Sequence, residues 1–204
     1  MKMSLGKRKG GSGDIPPLVK FDARAGVLYR CDRARSPNGE WYTDQTNITD
    51  NFAAIFDMEN AEIGWIALSS GGPPSFMMVP VGSDIGNPPS DKHKQGFRLR
   101  LKLAKGSGGG VREFTSTAAS TWQAIDQLHT EFEKERGKHP GKLPVVKLTG
   151  VKPSKTPMGT SYVPNFEISS WMVRPAELTT APPEAANPTE MGVDSEFNDE
   201  VTAA

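Results

Sequence analysis

The chain has 204 residues, 24 basic and 24 acidic side chains, 36% apolar residues, 21 Gly and 17 Pro. That is room for one full-sized domain with tails, and no stretch reaches the roughly 18 apolar residues of a membrane-spanning helix. A single cysteine, Cys31, excludes an intramolecular disulfide framework, and His93, His129 and His139 lack metal-ligand spacing.

In chain order, residues 1–17 are basic and Gly-rich and end in Pro-Pro. Gly-Gly-Ser-Gly stands where a secretory signal has its apolar stretch, and the composition predicts a flexible arm. Residues 18–31 alternate apolar and charged residues, with a break at Ala25-Gly26. Residues 36–44 read as a polar loop carrying Trp41 and Tyr42. Residues 52–58 and 63–68 flank Glu59-Asn60 and predict a hairpin. Residues 76–81 predict a short strand, and 82–95 a long loop. In residues 96–103, Phe97, Leu99, Leu101 and Leu103 share one face, while Arg98, Arg100 and Lys102 share the other. The Gly-rich run 106–110 reads as a hairpin turn leading to a partner strand at 111–115, rather than as a phosphate cradle. Ala118, Trp122, Ile125, Leu128 and Phe132 step as a helical stripe, with Ser116 or Thr117 as cap and Gly137 and Pro140 at the end. Residues 143–148 and 162–173 are strand-like, Pro164 marking an edge or bulge. Residues 176–204 lack basic residues and predict a disordered acidic tail.

Several strands, one helix and two further strands predict a mainly β body over 18–175. A small antiparallel barrel with one helix fits this order, and the five-stranded OB barrel is one member of that class. An open α+β sheet or a sandwich are the alternatives.

The zero net charge is segregated. Residues 1–20 carry five bases against one acid, 21–91 four against ten, 92–174 fifteen against six, and 175–204 none against seven. Such asymmetry points to a polyanion partner, the alternative being an ordinary acidic terminus. Alternate residues on a strand repeat at roughly 6.6–7 Å, near the phosphate repeat of an extended nucleic-acid strand. Arg98, Arg100 and Lys102 are therefore candidate phosphate contacts, unless they form a plain solvated strand face. Lys147, Lys152 and Lys155 add cations, as do Arg30 and Arg33. Tyr29, Trp41, Tyr42 and Tyr162 are candidate stacking platforms, since a base on an aromatic ring gains about 1–3 kcal/mol. Catalysis has little support. There is no phosphate-binding loop motif, Asp50, Asp57, Glu59, Glu62 and Asp84 follow no nuclease spacing, and Cys31 has no evident His partner. No cofactor or metal is expected, and a reducing cytoplasm is the default compartment.

The run Leu143-Pro144-Val145-Val146-Lys147-Leu148, followed by Lys152, Lys155-Thr156, Gly159, residues 162–168 and Trp171, resembles the C-terminal part of a family of bacteriophage and prophage single-stranded DNA-binding proteins. The resemblance covers roughly residues 96–175. It implies an OB-type body that is non-enzymatic and binds single-stranded DNA without sequence preference during phage replication or recombination, in the cytoplasm of a bacterial host. It also implies an acidic tail, here Glu184 to Glu200, that mimics DNA or meets phage or host replication proteins. The tail departs from the family pattern in ending Val-Thr-Ala-Ala, with Phe197 internal. Lys7-Arg8-Lys9 is similar to a patch used for self-association in the T-even phage protein, whose zinc site has no counterpart here. The alternative is a phage accessory or structural interaction protein without DNA binding.

Overall fold

The computed structural model describes residues 17–68, 74–156 and 159–179. The expected basic arm (but for Pro17) and nearly all of the acidic tail lie outside these residues. Ten strands form one sheet: β1 (Leu18–Asp22), β2 (Val27–Arg35), β3 (Trp41–Asn47), β4 (Ala53–Phe56), β5 (Glu62–Ala67), β6 (Ser75–Pro80), β7 (Lys94–Leu103), β8 (Val111–Ser116), β9 (Lys142–Thr156) and β10 (Gly159–Val173). A helix, α1 (Ala119–Glu135), follows β8, and a four-residue helix, α2 (Ala176–Thr179), follows β10.

Through the sheet the order is β10-β9-β4-β7-β8-β1-β2-β3, with β5 joining β7 and β6 joining β5. The pairings are antiparallel except β1 with β8, which is parallel. This overturns the expected five-stranded OB-type barrel, and with it the resemblance to the phage single-stranded DNA-binding family. The end strands β10 and β3 do not pair, so the sheet stays open. At the β1–β2 turn β10 makes a local contact, the Tyr162 N–H donating to the Ala23 carbonyl at 2.7 Å, and this is no strand ladder.

The hairpin expected across Glu59-Asn60 is also corrected. β4 pairs with β7 at Leu101–Leu103 and β5 pairs with it at Lys94–Arg98, both antiparallel. The two are therefore successive parts of one run along the same edge. Asp57 to Ala61 are extra residues opposite only Leu99 and Arg100, and a short 3-10 turn at Met58–Asn60 absorbs them. β5 turns back through β6 instead, Glu62 opposite Pro80 and Ala67 opposite Ser75.

The core follows the alternation in the sequence. Phe97, Leu99, Leu101 and Leu103 are buried, with Phe114 and Leu28 from neighbouring strands and Ile125, Leu128 and Phe132 from α1. Phe166 on β10 meets Phe52, Phe56 and Phe114 with centroids 5.9–6.1 Å apart. Complete burial of a Phe, Leu or Ile side chain contributes about 1.5–3 kcal/mol, so this aromatic cluster anchors the two long C-terminal strands to the sheet. Pro164 lies in β10, an outer strand with one free side, where the missing N–H costs no ladder bond.

The C-terminal segment is pinned back. Arg174 bridges Asp57 (2.7 Å) and Glu59 (2.6 Å) in the extra-residue turn. Glu177 pairs with Lys102 at 2.7 Å, and Leu178 is buried.

Candidate functional site: the outer face of β1, β2 and β3

Directly opposed residues in paired strands share a face. Tyr29 lies opposite Lys20 and Asn47, Cys31 opposite Leu18 and Gln45, Arg33 opposite Thr43, and Arg35 opposite Trp41. Val19, Phe21 and Leu28 fill the other face and the core. The period of two therefore places Lys20, Tyr29, Arg33, Arg35 and Trp41 together on the outside. All seven residues of β3 are exposed, Trp41 by 57% and Tyr42 by 52%, so the hairpin stands clear of the core.

The Arg33 guanidinium lies 4.6 Å from the Trp41 ring centre and that of Arg35 5.8 Å. Arg35 also donates from Nε to the Gly39 carbonyl. Among the described residues neither forms an ion pair, and a ring does not neutralise a cation, so both keep their charge facing solvent. Asp22, at the end of this face, is occupied in the β1–β2 turn, where its carboxylate accepts the N–H groups of Arg24 (2.9 Å) and Ala25 (3.1 Å). Those donors, that of Ala25 foremost, hold its pKa below the usual carboxylate value. At the foot of the hairpin a hollow of about 190 Å³ is lined by Pro17, Leu18, Arg33, Trp41, Tyr42 and Thr43, among others. Cys31 also lines it but is only 3% exposed, and burial pushes its thiol pKa up, which suits an inert group.

The other expected site residues lie elsewhere. Arg30 is on the opposite face of β2, paired with Asp32 at 2.7 Å, which Arg112 also holds at 2.7 Å. Tyr42 is rooted on that opposite face too, across from Ala34, though it also borders the hollow beside Arg33 and Trp41. Arg98, Arg100 and Lys102 do share one face of β7, but Arg98 is bound by Glu62 at 2.7 Å and Lys102 by Glu177 at 2.7 Å. Arg100 donates to the Glu177 carbonyl at 3.1 Å and lies opposite Glu113. Lys102 draws the Glu177 pKa down. Lys147, Lys152 and Lys155 are exposed on β9. Tyr162 is half-buried and packs over Gly26, tying β10 to the β1–β2 turn. Of the candidates, Tyr29, Arg33 and Trp41 come together. Lys20 and Arg35 join them; Tyr29 is half-buried and the other four are exposed.

Among the described residues no group of three His, Cys, Asp or Glu side chains is placed to hold a metal ion. No described helix is long and apolar enough to cross a membrane. Ser75, His93 and Ser90 form a hydroxyl–imidazole–hydroxyl chain, Ser90 Oγ 2.9 Å from Nδ1 and Ser75 Oγ 3.4 Å from Nε2, and none of the three lines the hollow. Comparisons with family models, curated proteins and solved structures find no match to this chain.

The site thus differs from the strand-face groove of a barrel. The cations of β7 are largely engaged by carboxylates and a carbonyl of the chain itself, so the barrel-based single-stranded DNA-binding mechanism is withdrawn. What the arrangement does offer is two uncompensated guanidinium groups and an open indole at strand spacing, on a hairpin free to meet a partner.

Proposed function

We infer that this chain is a non-enzymatic binding module, and that it holds an anionic polymer against the outer face of β1, β2 and β3. The observation that carries this reading is the pair Arg33 and Arg35, exposed and without carboxylate partners, beside exposed Trp41. Alternate residues on a strand repeat at roughly 6.6–7 Å, so Arg33 and Arg35 stand at a spacing along β2 that suits a chain of regularly spaced anions. Lys20 extends the charge across β1. Pro17 lines the hollow, so the basic sequence of residues 1–16 is joined to the chain at this site. The buried, reduced Cys31 suits the cytoplasm.

The test is a titration of labelled oligo(dT), inorganic polyphosphate and heparin into the full chain at 50 and 200 mM salt. Single-stranded DNA, the partner expected from the sequence, is one polymer of this class. Binding is expected at low salt, with a steep fall at the higher concentration. Arg33→Glu/Arg35→Glu weakens it about tenfold or more, because both side chains lie on an exposed hairpin and act on charge alone. Wild-type affinity in the double variant for every probe overturns the reading.

A further inference from the structure

Away from the hairpin, a cleft of about 60 Å³ opens between α1 and the strands β5 and β7. Its walls include Ile63, Val81, Trp122 and Ile125, and its polar residues are Glu62, Asp126 and His129, the last turned toward Glu133 at 3.9 Å. One water-sized sphere needs about 10–15 Å³, so the space suits a branched side chain of about four heavy atoms. Val81 is 40% exposed at the opening, and Ile63 and Trp122 are half-buried, so the apolar wall is reachable from solvent. The two carboxylates differ. Glu62 is engaged by Arg98, whereas Asp126 is exposed and has no ion pair among the described residues. On the strand side, β5 carries Glu62 and no basic residue.

We propose that this cleft docks a peptide segment of a partner protein, one that places a large apolar side chain a few residues before a Lys or Arg. The apolar side chain enters between Ile63, Val81, Trp122 and Ile125, and the cation meets Asp126. Charge decides the class of partner, since an anionic segment sets its charge against the exposed Asp126 carboxylate, whereas a cation pairs with it. The site is thus separate from the cationic hairpin and stands without it. An exposed apolar cleft with a charged rim gains affinity from burying one anchor and selectivity from the charge beside it.

The probe is the peptide acetyl-Leu-Gly-Lys-Arg-Lys-amide, which repeats residues 5–9 of this chain and has the required chemistry. It is titrated into the full chain while the Trp122 indole resonance, assigned with Trp122→Phe, is followed by NMR. A saturable shift of that resonance is expected, with binding about tenfold weaker in Asp126→Lys. Both Asp126 and Val81 face solvent, so Asp126→Lys and Val81→Lys leave the fold intact, as circular dichroism checks, and both weaken the peptide. Serine in place of the peptide leucine abolishes the shift, and Glu-Asp-Glu in place of its cations does the same. No shift at Trp122, equal binding by Asp126→Lys, or equal binding by either altered peptide overturns the proposal. Loss of polyanion binding leaves it standing.

Discussion

Replacing Arg174 with Ala tests how the C-terminal segment is held. Its guanidinium spans Asp57, whose side chain is 1% exposed, and Glu59, 38% exposed. Burial works against the Arg174 charge, but the hydrogen bonds to Asp57 and Glu59 outweigh it and raise the Arg174 pKa. Removing one partner of a fully buried pair costs about 3–5 kcal/mol. Arg174 is 22% exposed, and Asp57 keeps the Asn60 amide at 3.0 and 3.2 Å. The expected loss for Arg174→Ala is therefore about 2–3 kcal/mol. In a chain of this size that lowers Tm by about 4–12 °C. Urea unfolding of wild type, Arg174→Ala, Asp57→Asn and the double variant closes a cycle. Asp57→Asn recovers about 1 kcal/mol in the Arg174→Ala background, where the stranded charge is the main cost. A loss below about 0.5 kcal/mol for Arg174→Ala, or strict additivity in the cycle, refutes the reasoning.

Two further expectations concern turns. The folded pKa of Asp22 lies below its unfolded value, so its contribution is present above the unfolded pKa and fades as pH falls through the folded one. Asp22→Ala therefore costs about 0.5–1 kcal/mol at neutral pH, discounted for exposure, and nothing once the carboxyl is protonated in both states, as urea unfolding at pH 7 and in strong acid shows. Gly108 has φ +98° and a Cβ there meets the Arg30 guanidinium, whereas Gly109, at φ +65°, has open space. Gly108→Ala is expected to lose more than about 1 kcal/mol and Gly109→Ala less, a difference that thermal melts of the two variants measure.

Much of the secondary structure was legible because it follows burial. The Phe97 to Leu103 alternation gave β7, and the stripe through Trp122, Ile125, Leu128 and Phe132 gave α1 within a residue or two. The β7–β8 hairpin stood at the Gly-rich run. What failed was pairing, which depends on contacts far apart in sequence. Residues 52–68 look like two strands with a turn between them, and only the register with β7 shows that the chain keeps its direction past Asp57 to Ala61. Strand β3 escaped notice because an exposed outer strand has no apolar alternation to betray it. The site was half legible for the same reason. Arg33, Arg35 and Trp41 advertise exposure, but the carboxylates that occupy Arg98 and Lys102 come from 36 and 75 residues away, and no local pattern announces such partners.

The place of β4 has a consequence for the newborn protein. This strand is made before both of the strands that flank it, β7 and β9, and β9 follows well after it. Until it arrives, one side of β4 has unmet N–H and C=O groups, and the Phe52 and Phe56 rings lack Phe166. A chain stalled or clipped before residue 142 thus presents a sticky, half-built sheet, and its survival in the cell depends on how quickly translation delivers β9 or a chaperone shelters it.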